Sequence, residues 1–154
     1  MFHPKVARWH PTGCRSCVFL SIGGTIRRKG VDLLRQADAD AFLPDDDVTL
    51  IFKDTGASGF YRHNHLLLQI QKLARTTNTP SVIVLKDEMD DPTLASLYCG
   101  CDIFVLPCRG EGFVMPLVEA MACGKPVVTT AAAPALEFCS QEFANLIPDS
   151  GGRG

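Results

Sequence analysis

Five short, nearly continuous apolar runs constrain this 154-residue chain more than any other feature. They are CVFLSI at 17–22, VTLIF at 48–52, SVIVL at 81–85, IFVL at 103–106 and VVTT at 127–130. A strand with one wetted face alternates apolar and polar residues. Runs rich in Val, Ile and Leu suit strands covered on both faces, as in a parallel sheet. Segments of helical character separate them, at 31–41, 65–75, 93–99 and 117–123. Strands alternating with helices predict an α/β domain: a Rossmann-like, doubly wound parallel sheet of five to six strands in three α/β/α layers. The sixth strand would be 144–147, after a short helix around 135–138.

Local punctuation agrees with this division. Asp91 before Pro92 reads as an N-cap with proline at the first helical position. Gly124 and Pro126 read as the cap and stop of the helix over 117–123. Residues 1–16, with Phe2-His3-Pro4, read as a linker-like lead-in, and 17–148 as one domain. The tail 149–154, rich in glycine, is expected to fray.

Composition narrows the function classes. A net charge of −2 gives no support to sequence-independent binding of nucleic acid, so any anion must be held by local geometry. No apolar run reaches the length of a membrane span, and the charges and prolines at 1–13 break the core a signal peptide needs. The chain is therefore expected to be soluble and cytoplasmic. Cys99, Cys101, Cys108, Cys123 and Cys139 read as small hydrophobes in a reducing compartment. Cys14 and Cys17 have the spacing of half a metal or redox site, but no second pair completes it. No metal is expected.

In open α/β sheets, ligands bind beyond the carboxyl ends of the strands. Three loops leave such ends. In SIGGTIRRKG (21–30), Gly23 and Gly24 allow close backbone approach, and Arg27, Arg28 and Lys29 then meet a helix start. Free N–H groups and the helix dipole favour a phosphate there; a solvated basic turn is the plainer alternative. In RGEGFVMP (109–116), Gly110 and Gly112 make a tight loop before a helix opening at Pro116, with N–H groups of Phe113, Val114 and Met115 able to donate to an anion. Glu111 on the loop can accept from hydroxyls, and Glu119, read as first-turn, can lean back to the same place. Two carboxylates around an anion pocket suit a phosphorylated, polyhydroxylated ligand such as a nucleotide sugar; Glu119 as a plain helix-dipole charge is the alternative. In the third loop, KDTG (53–56), Lys53 either faces the same crevice or is a surface lysine.

The segment EGFVMPLVEAMACG from Glu111 through Glu119 resembles the E-x7-E signature of retaining glycosyltransferases of GT-B architecture, group 1 (family 4). FLSIGGTIRRKGVDLL at 19–34 resembles the same family's first strand, diphosphate loop and helix, and LYCGCDIFVLP at 97–107 its lead into the E-x7-E loop. The resemblance runs in order over about 17–130 and implies the C-terminal, donor-binding half of a GT-B fold. It further implies that Lys29 contacts the donor diphosphate, Glu111 the transferred sugar and Glu119 the ribose. Gly112 to Met115 would line phosphates and sugar, and Gly23, Gly24 and Thr25 would belong to the diphosphate loop. The reaction implied is metal-independent transfer from a nucleotide sugar with retention, without a cofactor. The acceptor domain, or an acceptor-domain protein, would be a partner outside this chain. A non-catalytic module that binds nucleotide sugar or a partner protein is the alternative.

Two positions depart from that pattern. Many relatives carry arginine where Gly24 stands, leaving Arg28 or Thr25 to supplement Lys29. Val114 replaces a glycine, and a position needing positive φ would strain a β-branched residue. Arg109 could orient Glu111 or be a plain surface charge. RHNH at 62–65 spells a nuclease motif but opens a predicted helix, and the acidic run 87–91 reads as a solvated N-cap region.

Overall fold

The computed structural model describes residues 1–55, 68, 70, 79–110 and 114–148. All expected strands form: β1 Cys17–Gly23, β2 Val48–Asp54, β3 Ser81–Leu85, β4 Ile103–Leu106, β5 Val127–Thr130 and β6 Ala144–Ile147. They join in one parallel sheet of order β3-β2-β1-β4-β5-β6. The helices are α1 Val31–Ala41, α2 Asp91–Gly100, α3 Met115–Ala122 and a single turn, α4, Ala133–Leu136.

Side chains alternate across the sheet into two cores. Val18, Leu20, Ile22 and Ile51 pack with Leu97 and Tyr98 of α2 and Leu117 and Ala120 of α3. Leu50, Phe52 and Val105 pack on the opposite face with Val31 and Leu34 of α1 and with Ile70. Three layers result, as expected from the apolar runs. The edge strand β3 is half-buried throughout rather than covered on both faces.

Strand order reverses between β1 and β4, the place where an open α/β sheet leaves a crevice at its carboxyl edge. The lead-in 1–16 packs on α2: the Trp9 N–H donates to the Ser96 carbonyl (3.0 Å), and the Phe2 ring stands edge-on to Tyr98 at 5.7 Å.

Several local expectations shift. The α2 N-cap is Asp90, not Asp91, because its carboxylate accepts from the Thr93 N–H three residues on (2.9 Å); Pro92 is then the second helical residue. Helix α3 starts two residues early, at Met115, and closes at Cys123 with Gly124 beyond it at φ 70°. Lys53 and Asp54, read as loop, continue β2 because they pair with Ile22 and Gly23 of β1. The predicted helix 65–75 is helical at Leu68 and Ile70; its other residues, and 62–64 of the RHNH stretch, lie outside the described residues. Among the described residues no helix is long and apolar enough to cross a membrane.

Candidate functional site

The crevice lies where β1, β2 and β4 end. Ser21, Gly23, Thr25 and Lys29 line it together with Lys53, Asp54 and Leu106. Lys29 ends a 3-10 turn, Arg27–Lys29, and lays its side-chain stem across Gly23. Gly30 follows at φ 70° and turns the chain into α1. A Cβ at Gly30 would stand 1.6 Å from the Pro107 carbonyl oxygen, so the β1–α1 and β4–α3 loops touch through bare backbone there.

Hydrogen bonds knit the same two loops together. The Arg109 N–H donates to the Arg28 carbonyl (2.9 Å), and the Arg28 guanidinium returns a bond to the Gly110 carbonyl (2.9 Å). The Arg109 guanidinium grips both carboxylate oxygens of Asp32 (2.6 and 2.9 Å) and also donates to the Arg27 carbonyl (2.6 Å). The guanidinium holds the Asp32 carboxyl below the usual carboxylate range. Arg109 therefore fastens the two loops, a role neither sequence reading assigned it.

Asp32 stands in the first turn of α1, the helix whose start was expected to favour an anion. Its carboxylate, held by the Arg109 guanidinium, puts an internal negative charge in that first turn. Helix α3 opens at Met115, with Pro116 in its first turn.

Lys53 is 5% exposed, so the surface-lysine alternative is wrong: it lines the crevice with Lys29, and its ammonium donates to the Asp54 carbonyl (2.9 Å). Burial lowers its pKa, against the opposing charges of Asp54, Asp87 and Glu88. Thr25 is buried, and both its N–H (3.0 Å) and its hydroxyl (2.9 Å) donate to Asp54 Oδ1. Thr25 thus ties its loop to the end of β2, and Arg28 bonds the Gly110 carbonyl across the two loops.

Val114 adopts φ −94°, where any residue is comfortable, and is buried in the core, so the anticipated strain is absent. Met115 is half exposed. Glu111, Gly112 and Phe113 lie outside the described residues. Glu119 is in the second turn of α3, not the first, and its Oε2 accepts from the Tyr98 hydroxyl at 2.8 Å. Burial raises the Glu119 pKa; the Tyr98 hydrogen bond opposes this and the Asp91 charge adds to it. Among the described residues no three metal-ligating side chains cluster.

Residues 16–150 match the model of the family described as Glycosyl transferases group 1. The chain belongs to this family. It is 32% identical over 111 residues to an uncharacterized glycosyltransferase of Methanocaldococcus jannaschii, a match over 72% of this chain and 28% of that protein. It is 30% identical over 118 residues to D-inositol 3-phosphate glycosyltransferase 2 of Catenulispora acidiphila, over 73% of this chain and 27% of that protein. This group 1 chain thus spans little more than a quarter of either relative.

Solved structures agree on the fold. Sucrose-phosphate synthase of Thermosynechococcus elongatus superimposes with a TM-score of 0.67 at 26% identity, covering 87% of this chain and 33% of that one. Anabaena HepE, solved with UDP-glucose, superimposes with a TM-score of 0.72 at 24% identity, covering 97% of this chain and 42% of that one. The architecture is that of GT-B glycosyltransferases, as the sequence resemblance implied. Asp32, Asp54 and Tyr98 escaped sequence reading. Only Asp32 carried a local signal, an acid in the first turn of a helix.

Proposed function

We propose that this chain is the donor-binding domain of a retaining glycosyltransferase and holds a nucleotide sugar at the carboxyl edge of β1, β2 and β4. The observation that carries the reading is the fastening of the β1–α1 and β4–α3 loops to each other through Arg109, Asp32 and Gly30. It fixes the loop carrying Lys29, which lines the crevice with Lys53, against the β4–α3 loop, and a lysine beside a loop that leads into a helix suits an anion. Lys29 and the first-turn N–H groups of α3 would take the diphosphate. Glu119 would accept from the ribose diol and Glu111 from the sugar hydroxyls.

In the transfer, the bond from the anomeric carbon to the diphosphate oxygen breaks, the acceptor hydroxyl oxygen bonds that carbon on the same face, and the hydroxyl proton passes to the leaving diphosphate. Lys29 and the α3 dipole stabilise the charge that grows on the leaving diphosphate, with no metal or cofactor invoked. The acceptor is held by a domain or chain other than this one. A cytoplasmic site of action accords with seven cysteines that are all free thiols.

Calorimetric titration with UDP, GDP and ADP and their common sugar conjugates tests the reading. One nucleotide should bind, and Glu119→Ala should weaken it at least tenfold, about 1.4 kcal/mol. A folded chain that binds none of them would refute the donor site.

A further inference from the structure

Tyr98 is fully buried, yet its hydroxyl reaches Glu119, a candidate site residue. Its ring is wedged between Phe104 (centroids 5.6 Å apart) and Phe2 (5.7 Å, edge-on). The backbone beneath it is fastened as well. The end of α2 is held by the Lys125 ammonium, which donates to the carbonyls of Cys99 (2.8 Å) and Cys101 (2.7 Å). A tyrosine so packed has one direction in which to aim its hydroxyl, and that direction is Glu119 Oε2 at 2.8 Å.

Glu119 itself is only partly buried, on the flank of α3 that faces α2. A half-exposed carboxylate on a flexible stem samples several rotamers unless something holds it. Among the described residues, Tyr98 is its hydrogen-bond partner. A tyrosine hydroxyl supplies a single proton, so it occupies one carboxylate oxygen and leaves Oε1 as an acceptor. A diol needs an acceptor held at a set distance and angle, which a swinging carboxylate does not provide.

We propose that Tyr98 is a positioning residue: by holding Glu119 Oε2 from the buried side, it presents Oε1 as the acceptor for the vicinal hydroxyls of the nucleotide's ribose. This rests on the donor-site reading above, with Glu119 as the ribose contact. Tyr98 never touches the ligand and acts through Glu119 alone. Its removal should therefore cost recognition of the sugar hydroxyls while sparing recognition of the phosphates.

The test compares UDP, GDP or ADP, whichever binds, with its 2′,3′-dideoxy form in wild type, Tyr98→Phe and Glu119→Ala. The wild type should prefer the ribose form. Tyr98→Phe keeps the ring and its packing and should shrink that preference about five- to tenfold, with affinity for the dideoxy form unchanged. Glu119→Ala should bring the preference close to one. If Tyr98→Phe keeps the full preference while Glu119→Ala abolishes it, Tyr98 is structural only: the inference falls and the donor-site reading stands. If Glu119→Ala also leaves the preference intact, the ribose contact lies elsewhere and both fall.

A second measurement needs no change at Tyr98. The chain has two tyrosines, so Tyr61→Phe leaves Tyr98 as the single ring for carbon-13 labelling at its hydroxyl carbon. That signal should move when the ribose nucleotide is added and stay still for the dideoxy form. Equal movement with both ligands, or with neither, overturns the proposal.

Discussion

Replacing Gly30 by alanine should unfasten the crevice, and its magnitude can be worked from two separate contributions. Gly30 sits at φ 70°, a left-handed conformation that costs an L-residue about 1–2 kcal/mol. The new Cβ would lie 1.6 Å from the Pro107 carbonyl oxygen, where ordinary contact begins at 3.4 Å, so about 1.8 Å of clearance must be found. The obstacle is backbone in a loop held by the Arg109–Arg28 and Arg28–Gly110 bonds, so it cannot swing aside as a side chain would. Overpacking of this kind costs about 1–3 kcal/mol. Together Gly30→Ala should lower unfolding free energy by about 2–5 kcal/mol. In molecules that remain folded, it should also displace the adjoining Lys29 and weaken nucleotide binding. Gly24→Ala is the control: a Cβ there meets nothing within 4 Å, and removing a flexible glycine is neutral to slightly stabilising. Urea unfolding followed by circular dichroism, with calorimetric titration alongside, reads both effects. If Gly30→Ala unfolds within about 0.5 kcal/mol of Gly24→Ala, the two loops do not depend on this contact and the reasoning fails.

Two other changes follow from the same structure. Burial lifts the Asp38 carboxyl from 3.8 to about 6, with the Arg35 charge opposing, so the folded chain keeps this proton at pH values where the unfolded chain has lost it. Its contribution to stability is thus present at low pH and is lost as pH rises from about 4 to 6; Asp38→Asn should gain about 2 kcal/mol over wild type between pH 4.5 and 7.5. A pH-independent difference in paired urea melts would show that the carboxyl is not raised. Gly24→Arg has open space and a conformation available to any residue; a second cation beside Lys29 should tighten nucleoside diphosphate binding about three- to tenfold and steepen its salt dependence. Unchanged affinity would place the diphosphate away from this loop.

What the chain determines by its own order of residues is the layer plan. Nearly continuous apolar runs at 48–52 and 103–106 call for cover on both faces, and the helical segments between them supply it. Glycines and lysine at 23–29, and the glutamates at 111 and 119, stand out along the chain as candidates, because turn chemistry and spacing along a chain are local properties. Tertiary structure alone decided how those parts act on one another. Asp32 and Arg109 are 77 positions apart and meet because the sheet order sets β4 beside β1. Their pairing holds a carboxylate in the first turn of α1 and ties the two loops together. Lys53 is buried because β2 runs on to Asp54 in register with β1, and Tyr98 meets Glu119 because α2 and α3 share one face of the sheet. Periodicity records which side of an element is covered; it carries no record of which residue, dozens of positions away, does the covering.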